Sequence, residues 1–241
     1  MDTASWELVP DSAQARYAGK IDLCIDHHGS NEHFAKESCV VPECAACGEL
    51  LYRIIQLLTP MTSEIAALLY LAISTDTGCY VFSNTTAMTH IITAELLAFD
   101  FDYRAINKLH FRTKSLRRLY LEGQMIQSMT VLHEGKTVIS SIPLSLMAAI
   151  GATEDDMDNI SAFLEQIEGV EIAVTIREQR ENECKVSVRT GGVHNASAIC
   201  ALLGGGGHKG AAGCTVRADI PGTQDAIIGA IAQIQAAQSS E

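Results

Sequence analysis

Lys20-Ile21-Asp22-Leu23-Cys24-Ile25-Asp26-His27-His28 decides how the first half of the chain folds. Residues 20–25 alternate in character and then give way to three polar groups. That pattern predicts a short strand delivering Asp26, His27 and His28 to its C-terminal edge. In open α/β sheets, sites form beyond that edge. A carboxylate beside two imidazoles suits a hard divalent cation and a phosphate, since such ions accept carboxylate oxygen and imidazole nitrogen. Downstream, residues 49–58 have helical spacing and stop at Thr59-Pro60. Thr62-Ser63-Glu64 carries a capping pattern that opens a helix through Ile73. This helix is apolar on nearly every side, so it is expected to be buried against a sheet. Ser74-Thr75-Asp76-Thr77-Gly78 then predicts a loop, and helices follow over 85–97 and 103–109. Asn84 either contacts a ligand or caps the first of these.

After residue 128 the character changes. Residues 129–133 and 137–141 flank Glu134-Gly135-Lys136, a hairpin signal. A helix is expected over 156–167, strands over 170–177 and 185–189, a helix over 195–203, a strand over 214–217 and a closing helix over 224–235. The fold class is therefore α/β. A doubly wound parallel-sheet domain is expected over 1–112, a helical connector over 113–128, and a smaller α/β domain with a mixed sheet over 129–241.

The second informative stretch is Gly204-Gly205-Gly206-Gly207-His208-Lys209-Gly210-Ala211-Ala212-Gly213. Its glycines let backbone N–H groups approach an anion, as a nest or a helix N-terminus does. His208 can donate to a phosphate and Lys209 adds charge. Tight flanking by Leu202-Leu203 and Ala211-Ala212 is not linker composition.

Composition sets limits. The 241 residues are 47% hydrophobic and 19% charged, which is ordinary for a soluble globular protein. Met1-Asp2 opens without a basic segment or an apolar h-region, and no apolar run is long enough to span a bilayer. A cytoplasmic protein without membrane partners is expected. A net charge of −12 argues against duplex DNA as a partner and favours a small ligand held by local cations. Lys185, Arg189, His208 and Lys209 form one such cluster. Arg112, Lys114, Arg117 and Arg118 form another, better read as a solvated helix face. Eight cysteines in a chain of this kind read as reduced thiols, and Cys44-Ala-Ala-Cys47 reads as helix-start thiols rather than half a zinc site.

In this order, Asp26-His27-His28 and the glycine–histidine–lysine stretch resemble the DHH phosphoesterases with a DHH-associated C-terminal domain. Within them the chain looks most like the oligoribonuclease (nanoRNase) and 3′-phosphoadenosine 5′-phosphate phosphatase branch. The resemblance implies Mn²⁺ as cofactor. It implies that His27, Asp2 (in a second-motif-like Asp2-Thr3-Ala4-Ser5, followed by Arg16) and Asp76 are metal ligands. His28 would face the scissile phosphate, with Asp26 orienting an imidazole. Arg189, Gly205, Gly206, Gly207, His208 and Lys209 would hold substrate. The implied partners are a short oligoribonucleotide or a nucleotide bisphosphate, and a homodimer is compatible with the pattern. Cyclic dinucleotides are an alternative substrate, and a non-catalytic nucleotide-binding fragment is an alternative function. Single-strand DNA exonucleases fit less well, because the chain is short and acidic.

The family's first motif, an Asp-x-Asp preceded by a His, has no counterpart. Asp100-Phe101-Asp102 and Asp156-Met157-Asp158 have the spacing but stand downstream of the DHH. The chain is thus expected to lack the first βα units, to hold one metal at most, and to turn over little by itself.

Overall fold

The computed structural model describes residues 1–191 and 194–238. The chain falls into two compact units, Met1–Thr113 and Lys114–Glu241. No described helix is long and apolar enough to cross a membrane.

In the first unit a short helix α1 (Asp11–Tyr17) leads into β1 (Leu23–Asp26), which pairs in parallel with β2 (Glu37–Val40). Helices α2 (Cys47–Leu58), α3 (Ser63–Asp76), α4 (Ala87–Leu96) and α5 (Tyr103–Asn107) follow. The buried start of α2 lies against β1, where the Cys47 thiol donates to the Ile25 carbonyl at 3.5 Å. Burial and the nearby charges of Asp2 and Asp26 push that thiol up to about 11, so it stays neutral. A neutral thiol is a poor metal ligand, and Cys47 acts here as a small apolar wedge.

Two expectations for α3 need correction. It packs among helices α2, α4 and α5 rather than against a sheet, and Leu68 remains 66% exposed. It also runs on to Asp76 instead of breaking at Ser74. The hydroxyls that suggested a loop bond back along the helix instead. Ser74 Oγ and Thr75 Oγ1 donate to the Leu71 carbonyl at 3.1 and 2.8 Å, and Thr77 Oγ1 donates to Ile73 at 2.7 Å. The chain then turns through three left-handed residues, Gly78, Cys79 and Tyr80. Gly78 takes φ 56° there, and a Cβ would sit 2.5 Å from the Phe82 ring, so any other residue would have to displace that side chain.

The second unit opens with α6 (Leu116–Ser128), whose N-cap Ser115 accepts from Arg118 N–H. The helix expected as a connector instead buries Leu121 and Met125 on the sheet below it. Next come β3 (Thr130–Leu132), β4 (Thr137–Ile142), α7 (Leu144–Ile150), β5 (Ile172–Arg180), β6 (Glu183–Thr190), α8 (Ala196–Ala201), β7 (Gly206–Gly207), β8 (Ala211–Val216) and α9 (Ile220–Gln238). The sheet order is β3-β4-β5-β6-β8-β7, with β4 and β5 parallel and the other pairs antiparallel. Val174, Ile176, Val186 and Val188 face α8 and α9, while Val138, Ile142 and Ala173 face α6 and α7. Each fully buried Val or Ile contributes about 1.5–3 kcal/mol, and the two-sided burial fixes the register.

The helix expected over 156–167 is absent. Short 3-10 turns stand at Glu154–Met157, Ile160–Ala162 and Leu164–Gln166. Asp156 spends its carboxylate on the Thr153 N–H and on Ser115 and Arg117, and Asn159 sits at φ 47°. Both features stop propagation. Helix α9 begins at Ile220 rather than at 224, because Asp219 accepts from Gly222 and Thr223 N–H groups and Pro221 is tolerated in a first turn.

Candidate active site

Asp26 ends β1 fully buried, and the local chain folds around its carboxylate. Oδ1 accepts from the His27 and His28 backbone N–H groups at 2.8 and 3.3 Å and from His28 Nδ1 at 2.7 Å. Oδ2 accepts from the Asn31 amide. Burial alone would raise this carboxyl, but the bonds from His28, Asn31 and the two backbone groups outweigh it and hold it below the ordinary range. The same contact with Asp26 raises His28 against the opposing effect of burial. With Nδ1 committed to Asp26, His28 keeps Nε2 for another partner. Asn31 had no signal in the sequence. Its own orientation is set by His33 N–H donating to Oδ1 at 2.8 Å, so the amide nitrogen faces Asp26 and the Thr3 carbonyl.

His27 Nδ1 lies 3.1 Å from the Cys44 carbonyl. A carbonyl only accepts, so Nδ1 carries the proton and Nε2 presents a lone pair. That lone pair lies 3.0 Å from Asp76 Oδ2 and 3.4 Å from Asp2 Oδ1. His27 Nε2 and Asp76 Oδ2 are both buried without a hydrogen-bond partner. His27 Nε2 thus faces one carboxylate oxygen of Asp76 and one of Asp2 with no donor between them, an arrangement that favours a cation. Burial, with the charge of Asp2 adding and His27 opposing, raises the Asp76 carboxyl. Ligand atoms of Asp2, His27 and His28 lie within 4.8 Å of one another. The His28 atom near Asp2, Nδ1 at 3.8 Å, is the one already held by Asp26. His27 therefore stands within 3.4 Å of both other expected ligands, Asp2 and Asp76, whereas the group whose ligand atoms all lie within 4.8 Å of one another takes in His28 and not Asp76. Asn84, left between ligand and cap, is neither a cap nor free: its amide donates to the Ala45 and Asp76 carbonyls at 2.9 and 3.1 Å, and Thr86 caps α4.

In the second unit the glycine run follows the C-terminal end of α8, as expected of a helix over 195–203 that feeds it. Gly204 takes φ 76° at that end, and Gly205 N–H donates to the Cys200 carbonyl. Gly205 and Gly207 are glycine because β8 lies so close: a Cβ would meet Gly213 O at 2.2 Å and Ala211 O at 2.7 Å, respectively. Gly206 faces open space. The run makes a tight hairpin that displays exposed His208 and Lys209 at its turn, closed by His208 N–H donating to the Ala211 carbonyl at 2.8 Å. Arg189 pairs with Ala211 across the sheet, so it stands beside that turn, with Ser161 as its hydrogen-bond partner.

A strand-end cluster of carboxylates and imidazoles, and a separate unit presenting a glycine hairpin beside an arginine, are the arrangement expected of a DHH-type phosphoesterase. The comparisons agree. The DHHA1 domain family matches residues 136–237. The bifunctional oligoribonuclease and PAP phosphatase NrnA of Thermus thermophilus is 35% identical over 195 residues, covering 80% of this chain and 58% of the relative. The protein of the same description in Bacillus subtilis is 25% identical over 221 residues, covering 89% and 68%. An exopolyphosphatase-related protein of Bacteroides fragilis shares the fold, with a TM-score of 0.87 at 23% identity, covering 97% of this chain and 70% of its own. The chain belongs to the DHH phosphoesterase family and carries its DHH-associated C-terminal domain. It spans less than two thirds of the Thermus relative's length.

Proposed function

We propose that this chain takes part in metal-dependent hydrolysis of phosphate esters in short oligoribonucleotides and in 3′-phosphoadenosine 5′-phosphate. The observation that carries this is the meeting of His27 Nε2, Asp76 Oδ2 and Asp2 Oδ1 with no donor among them. The oxygen and nitrogen donor set suits Mn²⁺. The substrate class is supported by two relatives whose names carry both activities.

Asp2, His27 and Asp76 hold the ion in this reading. When bound, a divalent ion supplies Lewis-acid polarisation of a phosphoryl oxygen and an activated water. Asp26 locks the His28 ring through Nδ1 and leaves Nε2 to meet the phosphate. Arg189, His208 and Lys209 hold the nucleotide by its phosphates, with charge-assisted bonds that are stronger than neutral ones.

The test is release of AMP from a triadenylate, and of phosphate from 3′-phosphoadenosine 5′-phosphate, with and without Mn²⁺. Release that requires Mn²⁺ and disappears in His28→Ala supports the reading. Release indifferent to both contradicts it, and a chain that binds nucleotide but no Mn²⁺ is a binding module instead.

A further inference from the structure

The face of the second unit's sheet away from α8 and α9 carries a cavity of about 440 Å³ that meets the site above only at Arg189 and Ser161. Its floor is laid by alternate residues of two paired strands: Thr175 and Arg177 on β5, and Lys185, Ser187 and Arg189 on β6, with Ser161 alongside. The register sets Thr175 opposite Ser187 and Arg177 opposite Lys185. Two buried polar atoms here lack partners, Thr175 Oγ1 and Arg177 Nε, although Thr175 is only 3% exposed. In a well-packed sheet an orphaned buried hydroxyl and an unpaired guanidinium N–H mark a place where something else completes the bonding.

The charges define what that is. Glu154 takes one end of Arg177, and Asp158 also lines the cavity, so Lys185 and Arg189 supply the positive excess. These two stand four residues apart on one face, about 13 Å between Cα positions at ~3.3 Å per residue. They form a track rather than a point. Arg189 sits opposite Ala211, onto which the His208 turn closes, so the track continues to the glycine hairpin within the same unit. No aromatic ring lines the cavity, and its apolar part comes from Met157 and Ile160. Bases prefer aromatic platforms. Hydroxyls, an amide from Asn159 and cations suit phosphate oxygens and ribose hydroxyls.

We propose that this cavity is a second phosphate subsite, holding the backbone phosphate of a single-stranded oligonucleotide one or two positions beyond the phosphate at the His208 turn. The proposal rests on the phosphoesterase reading for what reaches that turn. It explains how an acidic protein can favour oligonucleotides over mononucleotides without a broad basic surface.

The test is titration of the full chain, in chelator to prevent hydrolysis, with AMP and with 5′-phosphorylated triadenylate. Lys185→Gln is expected to weaken triadenylate about five- to tenfold and to lower its salt slope by about 0.7, as loss of one single-strand phosphate contact does. AMP binding should not change. Asp158→Asn should tighten triadenylate, and its backbone carbonyl can still accept from Arg118. Triadenylate binding that is unaffected by Lys185→Gln but lost in His208→Ala overturns the subsite and leaves the proposed function standing. Selective loss in Lys185→Gln by a chain that binds no Mn²⁺ supports the subsite and removes the metal-dependent reading. Equal weakening of both probes, or no binding of either by the unaltered chain, also overturns the subsite.

Discussion

Asp26 shows how much of a reactive site is spent on holding one side chain still. A fully buried carboxylate is tolerable only when its lone pairs are filled, and four donors fill them. Asn31 is the donor that belongs to neither histidine. Asn31→Ala leaves Oδ2 without that partner, so unfolding stability should drop by about 1.5–3 kcal/mol, the range for a hydrogen bond to a charged group. The check is a urea melt, with the midpoint falling at unchanged slope. A shift below about 0.5 kcal/mol, the size of an ordinary surface change, would mean that Asn31 does not support the carboxylate. The acid, the two imidazoles and Asp76 were legible from their types and order. Asn31 was not, because its role depends on the chain turning back at Gly29-Ser30 to place an amide beside a carboxylate five residues earlier.

At the scale of elements, the glycine hairpin separates backbone packing from ligand binding. Gly205→Ala drives a Cβ to 2.2 Å from Gly213 O and 2.7 Å from Cys214 Cα, backbone atoms that cannot rotate away. Overpacking of this kind costs about 1–3 kcal/mol, and the damage should spread to the His208 turn. Gly206→Ala meets open space and should stay within about 0.5 kcal/mol of the parent. Thermal melts of both variants decide this, and equal effects would contradict the hairpin. A second element depends on pH. Asp156 is held down to about 2 by the Ser115 hydroxyl first, then by Thr153 and Arg117. Its folded value lies below the ordinary 3.8, so its contribution is present above that value and is lost as pH falls through it towards about 2. The second unit should weaken over that window, and Asp156→Asn should flatten the fall. An unchanged acid profile in Asp156→Asn would contradict it. Local signals served well at Thr62, which caps the helix its type suggested, while Ser115 and Asn195 cap α6 and α8 without having been read as caps. Helix α7 was missed even though Pro143 and Gly151 bracket it, as helix boundaries often are. The helix over 156–167 failed for a non-local reason: Asp156 is claimed by residues some 40 positions earlier.

Over the whole molecule, the proposed function assigns chemistry and substrate capture to different units, so metal content and nucleotide affinity should respond to different substitutions. The account stands or falls on the ion. Titration of the purified chain with Mn²⁺, followed by electron paramagnetic resonance, should show one ion per chain, held at the His27 lone pair that faces Asp2 and Asp76. His27→Ala should lose that ion, because it removes the lone pair lying between Asp2 and Asp76. His28→Ala should keep it, because the Nδ1 of His28 serves Asp26 instead. Failure of the unaltered chain to bind Mn²⁺, or equal loss in the two variants, would contradict the account.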